Sequence, residues 1–360
     1  MSDALLSARD AVTGFWDGLP DVMPRQEMNA ALDQTFNLNL SARAVLALTD
    51  EELTRTYGIT LPTLRATKQT ILAHYLQNRG TRTPRIAKDD AYLWDIKTSS
   101  QAVLVDALLK SRVSFDGADG WCTIKVGGKD LIKLTRPNEI FFVKQLDWVR
   151  AYADLRGDRV AEVFLQLDDM ASFFGAQAYL DSGRRKYSLM MLDLARSFST
   201  HMELPAKYYC RAIRPVDLAA QVQPMIQTPD HSSFPSGHST EAFAMATVFY
   251  RLMTGKSAAE GIFEQALPYR LAHRIAVNRT VAGVHYPVDS RVGAYLGCIT
   301  GEYLYTLATG GNLSTVTVDP GQEDDDFLLS NFDFKPIATA TMVSTIGPLA
   351  ALWQKALAEW

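Results

Sequence analysis

Three short segments carry side chains able to hold a tetrahedral oxyanion, and they follow one another along the chain. The first runs from Lys207 to Arg214 and Pro215. The second is Pro235-Ser236-Gly237-His238. The third runs from Asn278 and Arg279 to His285 and Asp289. Lys207, Arg214 and Arg279 supply positive charge, and the guanidinium fork meets two anion oxygens at once. Ser236-Gly237 ahead of a helix offers backbone N–H groups, a hydroxyl and the positive end of the helix dipole. Gly237 lets the backbone come close to a ligand. The inventory suits phosphate, or vanadate, which has the same shape and charge.

The two histidines suit different tasks. His285 is able to attack phosphorus and carry a phosphoryl group. Asp289, four residues on, is placed to hold its second ring nitrogen and fix the tautomer. His238, beside the anion loop, is placed to protonate a leaving alkoxide and then activate water. No close cluster of His, Cys and carboxylate exists beyond His285 and Asp289, which argues against zinc.

These residues must be positioned by helices. The pattern predicts short helices over 41–48 and 50–57, longer ones over 61–78 and 101–111, and a bundle from 138–155, 160–180 and 188–201. Residues 204–214 read as a helix ended by Pro215, which places Lys207 and Arg214 on one face two turns apart. Residues 221–234 read as a loop broken by Pro224 and Pro229. Ser236 starts a helix to about Met253. A helix over 273–281 breaks at Gly283, and 285–289 opens the next. Gly127-Gly128 between alternating residues predicts one small β-hairpin over 121–134. The fold class is therefore all-α, a helical bundle with that hairpin. Three regions are expected: 1–135, N-terminal and helical with the hairpin; 136–315, the bundle that carries the motifs; and 316–360, a loop and helix packed on it. The acidic run in 322–327 reads as a solvated surface loop.

The 360 residues are 47% hydrophobic and 21% charged, with a formal net charge of −4, as in an ordinary globular protein. That balance gives no support to nucleic-acid binding. Cys122, Cys210 and Cys298 are too few and too scattered for a disulfide framework or metal pairing. The first residues lack a basic stretch followed by an apolar one, so a cytoplasmic protein is expected. Residues 336–354 are uncharged but weakly apolar and contain Pro348. They read as a buried segment of a soluble protein, so no integral membrane segment is expected.

At Lys207, Arg214, Pro215, Pro235–His238, Arg279, His285 and Asp289 the chain resembles one superfamily. It joins type 2 phosphatidic acid phosphatases, bacterial acid phosphatases and vanadium-dependent haloperoxidases. The pattern is Lys-x6-Arg-Pro, Pro-Ser-Gly-His and Ser-Arg-x5-His-x3-Asp, with Asn278 standing where Ser is usual. The resemblance covers about 200–300 and implies a helical bundle with the anion between helices. In a phosphatase it implies His285 as nucleophile, His238 as acid, and no cofactor. In a haloperoxidase it implies vanadate, with His285 as its direct ligand and His238 assisting peroxide. In both, Lys207, Arg214, Ser236, Gly237 and Arg279 hold the oxyanion.

The branch features are divided. His231, seven residues before His238, and Phe234 just before Pro-Ser-Gly-His resemble bromide-oxidising haloperoxidases, as does the long N-terminal region. Leu204 stands where haloperoxidases carry Trp, and the short distance from His238 to Arg279 is phosphatase-like. His231, Phe234 and Leu204 are thus the candidates for contact with halide or for lining the cage from outside. The first reading is phosphomonoester hydrolysis through a phosphohistidine. The second is halide oxidation by peroxide with vanadate, acting on an organic acceptor, and the third is a non-catalytic phosphate or vanadate binder. The partner in each case is a small molecule, and the helical N-terminal region could also host a homo-oligomer contact.

Overall fold

The computed structural model describes residues 96–360, together with Leu93, Trp94 and positions 51, 55 and 69. The chain divides into two compact units, Met1–Ile86 and Ala87–Trp360. Glu51, Arg55 and Gln69 of the first unit are helical. The helices expected over 41–48, 50–57 and 61–78 otherwise lie outside the described residues.

The second unit begins with α1 (Thr98–Lys110), followed by β1 (Val113–Ala118), β2 (Trp121–Val126) and β3 (Lys129–Thr135). The expected hairpin is present as β2 and β3, turning at Gly127 and Gly128 with φ of 55° and 76°. β1 adds a third antiparallel strand that the sequence reading missed. Next come α2 (Glu139–Tyr152), α3 (Arg156–Leu165) and α4 (Ala171–Ala178). The single helix expected over 160–180 is thus two. Asp169 explains the break, because its Oδ1 accepts from the backbone N–H of Ser172 at 3.0 Å and opens α4. The resulting turn presents Gln166 toward the motif residues.

α5 (Lys186–Cys210) is one 25-residue helix that continues through Pro205. Met191, Ala195, Phe198, Met202 and Ala206 are buried along it, and that packed face outweighs the preference of proline for a helix start. α5 ends with Arg211 in the left-handed conformation. Arg214 is therefore extended, ahead of the short α6 (Pro215–Leu218), and the expected helix face shared by Lys207 and Arg214 does not exist.

α7 (Gly237–Thr254) follows, then α8 (Ala258–Phe263), α9 (Leu267–Val281) and α10 (Pro287–Thr309). α7 packs against α5, α9 and α10 and is the centre of the bundle. Its closest neighbour is α10, through Gly293, Gly297 and Gly301, which recur every four residues and so form one stripe. A Cβ at Gly297 would meet the Thr240 carbonyl oxygen at 2.4 Å, and one at Gly293 the Ser236 carbonyl oxygen at 2.6 Å. The two backbones touch there, which ties the start of α7 to the start of α10.

β4 (Gly311–Thr315) pairs antiparallel with β5 (Ile337–Val343), and α11 (Gly347–Leu357) closes the chain. The segment 336–354 is thus a strand and a helix. Its buried residues are Ile346 just before the helix and Leu349, Leu352 and Trp353 within it, whereas Ile337 and Met342 are exposed. Among the described residues no helix is long and apolar enough to cross a membrane. The acidic loop is docked rather than simply solvated. Trp148 Nε1 donates to the Asp324 carbonyl at 2.5 Å, Gln145 Nε2 to that of Asp325 at 3.0 Å, and Tyr152 Oη to the Asp326 carboxylate at 2.7 Å. Gln145 Oε1 also accepts from the Val288 N–H at 3.0 Å, so α2 braces the first turn of α10.

The backbone contact between α7 and α10 makes a direct prediction. Gly297→Ala forces the helices apart and should cost about 1–3 kcal/mol in urea unfolding. A variant as stable as the parent would show that the contact is not tight.

Candidate active site

All three motif cations lie in the interior, with Lys207 and Arg279 each 1% exposed and Arg214 3%. Buried like charges are costly unless an anion or several acceptors face them. Lys207 Nζ donates to the carbonyl oxygens of Ser232 at 3.1 Å and Pro235 at 2.5 Å, pinning the segment that leads into α7. Arg214 Nε donates to the His231 carbonyl at 3.0 Å, and its Nη1 to the Val284 carbonyl at 2.7 Å. Arg279 uses only one nitrogen: Nη2 donates to the Val163 carbonyl at 3.1 Å and to Gln166 Oε1 at 3.0 Å. Its Nε and Nη1 are buried with no partner among the described residues.

Ser236 is the N-cap of α7, with its side chain accepting from the Ser239 N–H, and its own N–H donates to the Asp289 carbonyl at 2.9 Å. Gly237 has a specific reason to lack a side chain: a Cβ would stand 2.5 Å from Glu203 Oε1. Glu203 lies one turn before Lys207 on α5 and is 5% exposed. Burial pushes its carboxyl up to about 8, with Glu241 adding to the rise and Lys207 and Arg214 opposing it. The same burial pushes Lys207 down to about 8, partly offset by Glu203.

Between α9 and α10 the chain turns at Gly283, φ 80°, and places His285 just ahead of Pro287 at the start of α10. His285 Nδ1 donates to Asp289 Oδ2 at 3.0 Å, and the same oxygen accepts from the Tyr286 N–H at 3.1 Å. Burial, then Arg214 and Lys207, hold His285 well below its ordinary value, so the ring is neutral. With the proton on Nδ1, Nε2 keeps its lone pair and accepts from Arg214 Nη1 at 3.2 Å. His238 Nε2 donates to the Gln166 carbonyl at 3.1 Å, which leaves Nδ1 as the atom free to move a proton. Burial and then Arg279 push His238 down to about 3.

A cleft of about 610 Å³ opens on the Lys207 and Arg214 side, with Leu204, Tyr208, Arg211 and His231 in its wall. His231 Nδ1 is 3.3 Å from Arg214 Nη2, so this histidine touches the cage from outside. Leu204 lines the cleft at one helical turn from Lys207, whereas Phe234 is fully buried in the core. Asn278 does not face the cleft. Its Nδ2 donates to Glu162 Oε2 at 3.1 Å and to Gln166 Oε1 at 3.0 Å. Glu203 and Gln166 were missed in the sequence. Glu203 had one signal, its i, i+4 spacing to Lys207, and Gln166 had none.

Residues 188–310, a stretch that includes every motif residue from Lys207 to Asp289, match the model of the PAP2 superfamily. A stretch of 85 residues is 36% identical to decaprenylphosphoryl-5-phosphoribose phosphatase of Mycobacterium tuberculosis, in strains CDC 1551 and H37Rv alike. That stretch is 24% of this chain and 42% of the relative, so less than half of the phosphatase is matched. Among solved structures, a bacterial vanadium-dependent iodoperoxidase aligns over 77% of this chain and 78% of its own, with 14% identity and a TM-score of 0.33.

The raised Glu203 carboxyl has a definite sign. The folded state keeps a proton that the unfolded state releases near the ordinary value of 4.5, so folding stability falls as pH rises toward about 8. Glu203→Gln removes that slope. Its melting temperature relative to the parent should climb from about pH 5 to about pH 8, and parallel curves would place the Glu203 proton wrongly.

Proposed function

We propose that this chain hydrolyses phosphomonoesters. The observation that carries the reading is the pair of buried, unpartnered Arg279 nitrogens in a cage where a neutral His285 is already oriented by Asp289. A buried guanidinium with two free N–H groups fits a tetrahedral oxyanion. Lys207, Arg214 and the start of α7 carry the remaining charge of the phosphoryl oxygens. The phosphatase relative supports the same chemistry.

The residues then divide the work. His285 Nε2 gives up its contact with Arg214 and attacks phosphorus, while Asp289 holds the Nδ1 proton and stabilises the imidazolium that forms. The P–O bond to the alcohol breaks, and His238 hands a proton from Nδ1 to the departing alkoxide. His238 is neutral in the free protein, so the charge of the bound anion must raise it for this step. A water then attacks the phosphohistidine, His238 Nδ1 takes its proton, and the P–N bond breaks to release phosphate and free His285. Arg279 faces charge that grows in each transition state, which places it among the electrostatic stabilisers.

His231 favours a second reading, vanadium-dependent halide oxidation, because it lines the cleft in contact with Arg214. The same unpartnered Arg279 nitrogens fit vanadate, with Lys207, Arg214, Ser236 and Gly237 holding oxygens and His285 Nε2 free to ligate. Bound there, vanadate would supply peroxide activation.

A paired assay separates the two. One arm follows a chromogenic phosphate ester in metal-free buffer, and the other follows bromination of an organic acceptor with peroxide after loading with orthovanadate. Ester turnover that vanadate inhibits is the expected result, with His285→Ala abolishing it and Arg279→Ala lowering kcat/KM about a hundredfold to a thousandfold. Vanadate-dependent bromination with negligible ester turnover would overturn the phosphatase reading in favour of the second.

A further inference from the structure

Gln166 touches more of the motif residues than any role assigned so far requires. It lies in the turn between α3 and α4 and is 1% exposed. Its carbonyl accepts from His238, and its side-chain Oε1 accepts from both Arg279 Nη2 and Asn278 Nδ2. Those two donors fix which end of the amide is oxygen, since a reversed amide would set N–H groups against N–H groups. Nε2 must then point the other way, and it is buried with no acceptor. An unmet buried donor costs about 1–3 kcal/mol. It shares this state with Arg279 Nε and Nη1, the neighbouring guanidinium that its own oxygen holds.

Three unmet donors on two side chains joined by a hydrogen bond call for one acceptor-rich ligand. We propose that Gln166 is a direct contact of the bound oxyanion, donating from Nε2 to an oxygen of the anion that Arg279 holds. The inference rests on the oxyanion reading of the cage. It also accounts for Asn278. A serine there is shorter and has a single hydrogen to donate, whereas the asparagine amide donates at once to Glu162 and to Gln166 Oε1, which keeps the Gln166 amide turned.

The test is calorimetric titration of the full chain with inorganic phosphate. Gln166→Met keeps the side-chain length and removes the Nε2 donor together with the Oε1 acceptor of Arg279 and Asn278, and should weaken phosphate binding about tenfold. Gln166→Glu keeps an oxygen for Arg279 and Asn278 but adds negative charge, and should weaken it further. Equal affinity in the parent and Gln166→Met would overturn the proposal while leaving the cage intact. A parent that bound no phosphate would overturn both, and Arg279→Ala, which should weaken binding well beyond Gln166→Met, marks that difference. Because Gln166→Met also releases Arg279, and whether or not it folds, a crystal of the parent with orthovanadate separates direct contact from positioning. An amide nitrogen within about 3.2 Å of a vanadate oxygen supports the contact, and one beyond about 4 Å refutes it. A merely structural Gln166 would not produce that approach.

Discussion

Three full positive charges in a dry interior are the constraint on which this structure depends. Lys207, Arg214 and Arg279 arrive from the end of α5, the segment after it and α9, and among the described residues none forms an ion pair with a carboxylate. Lys207 and Arg214 are met mainly by carbonyl oxygens, which makes the Ser232–Pro235 segment and the turn before His285 part of the charge-bearing machinery. Arg279 is met on one nitrogen only. An interior that tolerates this arrangement is prepared for an anion, because desolvation of the cations is already complete before a ligand arrives.

Holding such a site demands a rigid frame, and the frame is the contact of α7 with α10. Small residues at Gly293, Gly297 and Gly301 bring the backbones together. Ser236 N–H to the Asp289 carbonyl then locks the start of α7 to the residue that orients His285. The distance between His285 and the start of α7 is thus set by backbone packing rather than by flexible side chains. Glu203 beneath Gly237 shows how tightly this corner is filled: the glycine serves a protein carboxyl as well as any ligand.

Much of the site was legible in the sequence because its signals are local. His285 and Asp289 are four residues apart across a helix start, Ser236 caps the helix it was expected to open, and Gly127-Gly128 turns the hairpin it was expected to turn. The expectation for Lys207 and Arg214 went wrong because Arg211 turns left-handed at the end of α5, three residues before Arg214. Gln166 and Glu203 were invisible for a different reason. Gln166 reaches Arg279 and Asn278 across more than a hundred residues of chain, and Glu203 opposes Gly237 between two helices. No spacing rule encodes such tertiary contacts. The acidic loop shows the same limit from the other side: its backbone carbonyls dock on α2, although its side chains read as solvated.

The account stands or falls on covalent chemistry at His285. Rapid quenching of the protein during turnover of a phosphate ester, followed by peptide mapping under alkaline conditions, reads it directly. Phosphate bound to Nε2 of His285, accumulating when the ester is in excess and absent in Asp289→Ala at the same quench time, is the predicted result. Steady ester turnover with no phosphorylated His285 at any quench time would contradict it.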